Sequence, residues 1–342
     1  MLFLWRVREP LKDNIKYKVG VIGAGAWGTA LANIISKKEK VILWAKEKSV
    51  CDNINKISEN KRYLPKIKLS KKIKCTTSIL DMAKCEILFL VSPVQYLSTN
   101  LLKLKKDIQT STIFVCCSKG IEMNSLKLPS EIVTSIFPKN KIAVISGPNF
   151  AAEIAKGLPA ATVVASKSGS VGNTIAQLIK SPTLRPYLSD DIIGSQIAGA
   201  LKNIYAIASG IVFGKKYGEN AVASIISRSF AEIKIVAQSM NAKKSTLAGL
   251  SGMGDLFLTC SSKESRNFSL GIDLAKGKTL NQIIEKKFSV AEGVFTVRAL
   301  KKLSIEKKLD LPINDAIYKV LYRKKNIDVT IQELLNRPIT KE

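Results

Sequence analysis

A chain of 342 residues exceeds the usual reach of one hydrophobic core, so two unequal domains are expected, and with 46% hydrophobic and 24% charged residues it is not a disordered chain. The net charge of +27 rests on nine arginines and 45 lysines scattered as pairs such as Lys37-Lys38 and Lys243-Lys244. With aromatics at only 6% and no concentrated arginine stripe, that charge reads as a solvated lysine-rich surface with no nucleic-acid partner.

Six cysteines stand at 51, 75, 85, 116, 117 and 260 without a Cys-x-x-Cys, and there is no histidine to complete a zinc set. A reduced, metal-free cytoplasmic protein is therefore expected. The lack of imidazole also removes the commonest general acid and base, leaving proton chemistry to Lys, Asp, Glu, Tyr or Cys.

Residues 1–16 are too polar after Trp5-Arg6 for a signal peptide and read as an appended tail. From residue 18, short β-branched runs alternate with amphipathic segments, the pattern of β-α-β units. Strands are expected over residues 18–23, 41–44, 87–91, 112–117, 142–146 and 161–165, with helices over 27–36 and 125–136. Beyond about residue 186 the strands fade. Ile197, Leu201, Ile204 and Ala208 recur at helical spacing, and residues 221–240, 279–286, 296–303 and 312–322 also read as helices. No segment supplies a clean membrane span, because the most apolar one contains Lys202 and Asn203. The expected organisation is a tail at 1–16, a Rossmann domain at 17–193 with a doubly wound parallel sheet, and an all-α domain at 194–335.

Gly23-Ala24-Gly25-Ala26-Trp27-Gly28 is a Gly-x-Gly-x-x-Gly loop between an apolar strand and a helix. Its glycines allow the tight turn, the approach of a pyrophosphate and the packing of helix on strand, and the helix N-terminus favours negative charge. Gly23, Gly25, Ala26, Trp27 and Gly28 are accordingly candidate cofactor-binding residues. The second strand ends Trp44-Ala45-Lys46-Glu47, where Lys46 leans towards the 2′-phosphate of NADP(H) and Glu47 keeps NAD(H) open. Both can also simply begin the next helix.

Further segments combine small residues with functional ones: Ser118-Lys119-Gly120, Ser146-Gly147-Pro148-Asn149-Phe150-Ala151, Gly199-Ala200-Leu201-Lys202-Asn203, Gly252-Met253-Gly254-Asp255-Leu256, and Ser265-Arg266-Asn267. Read by itself, Lys202 is either a partly desolvated proton carrier or a lysine snorkelling from a helix. Lys119 follows a strand at the carboxyl end of the sheet, where α/β folds bind ligands, but is one lysine among many. Arg266 can grip phosphate bidentately or belong to a capping turn, and Asp255 can be an ordinary N-cap.

The order of these motifs over residues 18–323 resembles the bacterial NAD(P)-dependent glycerol-3-phosphate dehydrogenases. The resemblance implies a Rossmann domain followed by a helical domain of the 6-phosphogluconate-dehydrogenase type, a homodimer, and a substrate lying between the domains. It implies reversible hydride transfer between NAD(P)H and dihydroxyacetone phosphate, giving sn-glycerol 3-phosphate for phospholipid synthesis, with no metal.

Residue by residue, the resemblance makes Lys202 the proton carrier, with Lys119 and Asp255 beside it. It makes Lys119, Gly147, Asn149, Lys202, Asp255, Ser265, Arg266 and Asn267 substrate contacts, and it adds Lys119, Ala151, Arg266, Val290 and Glu292 to the cofactor contacts. Asn149 departs from the family's usual Ser or Thr, and its amide retains hydrogen-bonding capacity. Two rivals remain: a β-hydroxyacid dehydrogenase, which would bind carboxylates rather than phosphate, and a nucleotide-sensing or nucleic-acid-binding Rossmann protein without turnover.

Overall fold

The computed structural model describes residues 17–285 and 291–339, so the tail at 1–16 and Val290 lie outside the described residues. The chain forms two compact units. One takes in the chain up to Ser118, Ser130–Ile145 and Asn149–Asp190, and the other Lys119–Pro129, Ser146–Pro148 and the chain from Asp191 onward.

The first unit carries an eight-stranded sheet in the order β3-β2-β1-β4-β5-β6-β7-β8. The strands are β1 (Val19–Ile22), β2 (Val41–Trp44), β3 (Ile73–Thr76), β4 (Ile87–Leu90), β5 (Ile113–Cys116), β6 (Ile142–Ser146), β7 (Ala160–Ala165) and β8 (Leu184–Ser189). Parallel pairing runs from β3 through β2, β1 and β4 to β6, and again between β7 and β8. Central strands such as Val-Gly-Val-Ile and Ile-Leu-Phe-Leu are buried along their whole length, as a sheet covered on both faces requires. The order reverses at β1, between β2 and β4, and this is the switch point at which doubly wound sheets bind nucleotides.

Six strands fall where the sequence places them; β3 and β8, the two edges, are additional. The helix expected over 125–136 is shorter, Pro129–Ile136, because Pro is best tolerated in the first helical turn.

The second unit is helical. Its axis is the 23-residue helix Ile192–Gly214, capped by Asp191, whose Oδ1 accepts from Gly194 N at 2.8 Å. Among the described residues this is the one helix long and apolar enough to cross a membrane, but most of it is buried within the unit. It is apolar because other helices surround it. Glu219–Ser239, Asp255–Ser261, Arg266–Ala275, Glu292–Glu306 and Pro312–Arg323 bury Ile197, Leu201, Ile204, Ile207 and Ile211 against their own apolar faces. Each such side chain removed from water contributes about 1.5–3 kcal/mol.

Candidate active site

In the first unit, the glycine loop is shaped by backbone proximity. Gly23 adopts φ +121°, and a Cβ there would lie 2.7 Å from Ser92 N, so only glycine makes the turn. A Cβ at Gly28 would stand 1.9 Å from the Gly23 carbonyl oxygen, while one at Gly25 would meet nothing within 4 Å. The loop is thus packed tight on its inner side and open at the N-terminus of the helix Ala26–Ile35, where Ala26 and Trp27 are half-buried. That helix has no acidic residue in its first turn and no side-chain cap, leaving its first amides to a ligand. These residues fit a dinucleotide pyrophosphate.

Asn60, which the sequence does not single out, supports this loop. It is fully buried, and its Nδ2 donates to Ala24 O and to Thr29 Oγ1, both at 2.8 Å. Thirty-six residues separate it from Ala24, so no local signal exposes it. Truncation to alanine takes the shorter hydrogen bond from the Ala24 carbonyl and leaves it the longer one from Thr29 Oγ1 at 3.4 Å, at about 1–3 kcal/mol. Asn60→Ala is expected to weaken NAD(P)H binding by about 5- to 150-fold, that energy expressed as an affinity ratio, as read by calorimetric titration; an unchanged affinity would show that other contacts hold the loop.

At the end of β2, Lys46 is exposed, whereas Glu47 accepts a hydrogen bond from the Tyr63 hydroxyl at 3.0 Å. The carboxylate therefore already has a partner, and the ammonium faces solvent. In the same unit Asn149 Nδ2 donates to Thr162 Oγ1 at 3.3 Å, and its Oδ1 is buried without a hydrogen-bond partner. Ala151 opens the short helix Ala151–Ala155.

In the second unit three charged side chains converge. Lys202 projects from the middle of the long helix and is only 8% exposed. Its Nζ donates to Asp255 Oδ1 at 2.5 Å. Asp255 is fully buried, and its other oxygen, Oδ2, accepts from Lys119 Nζ at 2.7 Å. Lys119 also donates to the Gly147 carbonyl at 2.9 Å. Burial pulls the Lys202 ammonium down from 10.5 to about 8; the Asp255 carboxylate opposes that fall and the Lys119 ammonium adds to it. A lysine so tuned exchanges its proton near neutral pH, the work that no histidine is present to do.

Beside this triad lies an amide chain. Asn267 Nδ2 donates to Asn203 Oδ1 at 2.9 Å, and Asn267 Oδ1 accepts from Gly293 N at 3.1 Å. Asn203, adjacent to Lys202, thereby sets which way the Asn267 amide points, a role the sequence leaves unmarked. Ser265 caps the helix Arg266–Ala275 by accepting from Phe268 N at 3.3 Å. Its hydroxyl proton remains for another acceptor. Arg266 is the exposed first residue of that helix, so its guanidinium belongs to the first helical turn, where an anion is favoured. Glu292 begins Glu292–Glu306; burial pushes its carboxyl up to about 7 while Arg266 pulls it back, and Oε2 has no hydrogen-bond partner. Val290 cannot be placed, being outside the described residues. Among the described residues no cluster of His, Cys, Asp or Glu is arranged to hold a metal.

Sequence and fold comparisons identify the family. The N-terminal profile of NAD-dependent glycerol-3-phosphate dehydrogenase matches residues 18–172 and the C-terminal profile matches residues 191–332. The glycerol-3-phosphate dehydrogenase [NAD(P)+] of Caulobacter vibrioides is 43% identical over 326 residues, covering 95% of this chain and 98% of that protein. Its counterpart from Parvibaculum lavamentivorans is 40% identical with the same coverage. The crystal structure of glycerol-3-phosphate dehydrogenase from Coxiella burnetii superposes with a TM-score of 0.90 at 31% identity, covering 94% of this chain and 99% of that one. The chain therefore belongs to the NAD-dependent glycerol-3-phosphate dehydrogenase family, with the Rossmann and all-helical architecture that family combines.

Proposed function

We propose that Lys202, Asp255 and Lys119 carry the proton chemistry of this enzyme, an oxidoreductase that reduces dihydroxyacetone phosphate to sn-glycerol 3-phosphate with NAD(P)H. The observation that carries the assignment is the buried carboxylate whose two oxygens each hold one ammonium. Bound NAD(P)H supplies the hydride that reduces C2 of the substrate. Lys202, as the ammonium, delivers the proton to the C2 oxygen as negative charge develops there, and in the reverse direction the neutral amine removes it.

Asp255 keeps the Lys202 Nζ aimed, and Lys119, fixed by Asp255 and the Gly147 carbonyl, offers a second cation to the substrate. Arg266, Asn267 and Ser265 take the phosphate, with Gly147 and Asn149 as further substrate contacts. Gly23, Gly25, Ala26, Trp27, Gly28, Lys46, Ala151, Arg266, Val290 and Glu292 hold the cofactor, together with Lys119. Functionally the chain divides into the tail 1–16, a cofactor domain 17–193 and a substrate domain 194–335. Family membership supports a cytoplasmic homodimer that feeds glycerophospholipid synthesis.

The test is nicotinamide absorbance with the purified chain, dihydroxyacetone phosphate, and NADPH or NADH, beside a panel of short β-ketoacids. Oxidation specific to the phosphorylated ketone is expected; turnover confined to the carboxylates, or none with a folded protein, would overturn the assignment. Because Glu47 is engaged by Tyr63 and Lys46 is not buried, NADPH is expected to be the better donor.

The pH dependence follows from the Lys202 ammonium. Reduction needs the protonated lysine, so its rate is expected to fall as pH rises through about 8, while oxidation of glycerol 3-phosphate rises over the same interval. Initial rates in both directions between pH 6 and 10 check this; parallel profiles would exclude Lys202 as the carrier.

A further inference from the structure

The route by which the chain delivers Asp255 is unusual. After the helix Lys244–Ala248, Gly249 is extended, and Leu250–Gly254 forms a single π-helical turn that runs into the helix Asp255–Ser261. The turn is closed by Gly254 N donating to Gly249 O at 3.2 Å, a span of five residues rather than four. A π turn spans one residue more than an α turn, so the residue that follows it stands about 100° further round the axis than an α turn would place it, the angle between successive helical residues. Here the first residue after the turn is the aspartate that holds both lysines.

The turn tolerates no side chain at its centre. A Cβ on Gly252 would lie 2.0 Å from Leu247 O, 2.5 Å from Leu247 C and 2.6 Å from Leu247 Cα, all backbone atoms that cannot swing aside. Gly249, at the start of the same segment, has room: its nearest neighbour would be Thr246 O at 3.5 Å, and its backbone is one that alanine adopts.

We propose that Gly252 is a positioning residue for the reaction: by letting the π turn lie directly on the Leu247 backbone, it sets the Asp255 carboxylate so that each oxygen takes one lysine. The inference deepens the proposed role of the Lys202, Asp255 and Lys119 triad and rests on it. Any side chain at 252 lifts the turn off Leu247, moves Asp255, and frees Lys202 from the charge that keeps its proton in place.

The experiment compares the full chain with Gly252→Ala, Gly249→Ala and Asp255→Asn, each checked for folding by circular dichroism and followed from pH 6 to 10. Gly252→Ala is expected to lower kcat for reduction at least 10-fold, more than it changes the KM for dihydroxyacetone phosphate. It is also expected to move the alkaline limb to lower pH by about one unit, as Asp255→Asn does. Gly249→Ala is expected to move neither.

If Gly252→Ala melts below the assay temperature, deletion of Met253, which shortens the π turn to an α turn, carries the same expectation. A Gly252→Ala enzyme with wild-type kcat and limb, while Asp255→Asn shifts it, overturns the proposal and leaves the triad standing. An unshifted Asp255→Asn limb instead removes the triad reading, and this inference with it. If neither altered turn folds, Gly252 serves the fold rather than the site and the proposal is overturned equally.

Discussion

Lys202→Ala is expected to lower kcat for dihydroxyacetone phosphate reduction by about 10²- to 10⁴-fold, the range over which a positioned proton donor contributes. Folding is expected to survive, because the change removes a buried ammonium while Asp255 retains Lys119 as its counterion. Ser265, Arg266 and Asn267, proposed above to take the phosphate, are untouched, so KM for the ketone should rise far less than kcat falls. The alkaline limb of the reduction profile should also vanish, since the group that titrates near 8 is gone. Steady-state kinetics across pH on the variant read all three, and residual activity that keeps the wild-type limb would place the proton carrier elsewhere.

Asp255→Ala has the opposite balance. It strips the shared counterion from two ammoniums, one only 8% exposed, and breaking a buried ion pair by removing one partner costs about 3–5 kcal/mol. Urea unfolding at pH 7 is expected to show a loss of that order, together with loss of turnover. Burial and Lys119 would then lower the proton affinity of Lys202 with the main opposing charge gone, so its pKa falls further. The stability deficit should therefore shrink as pH rises towards about 8, while the variant's lysine alone sheds the charge that has lost its partner, and level off above it, where the wild-type lysine is deprotonated too. A deficit independent of pH would mean that packing, rather than charge, is what Asp255 supplies.

Much of this was legible in the residues. The central strands announce themselves because both faces are buried and their text is continuously apolar. The two strands the sequence conceals are the sheet's edges. β8 reads Leu-Arg-Pro-Tyr-Leu-Ser, with several residues exposed, and Pro186 argues against a strand except at an edge, where the lost donor faces no neighbour. β3 carries Lys74 and follows a lysine pair, which masks its alternation. The glycine loop is a local motif and so could be read directly. The triad could not, because Lys119 and Asp255 stand 136 residues apart, and Lys202 and Asp255 stand 53 apart. Spacing says nothing about such a meeting: each residue stands out singly in its own segment, and only the family resemblance implies that they act together. Asn60 lies in no such segment, and Asn203, though it stands beside Lys202 in one, carries no sign of its partner 64 residues on; both act on the amides and carbonyls of other residues.

The same separation bears on how the enzyme is made. During synthesis at about 5–20 residues per second, the 136 residues between Lys119 and its carboxylate partner take roughly 7 to 27 seconds to appear. Through that interval the nascent chain can assemble most of the nucleotide-binding sheet, while Lys119 waits for a partner not yet translated. The ion pair is thus a late event of assembly: a chain stopped between β8 and residue 255 carries every strand of the sheet but not the carboxylate that joins the two lysines.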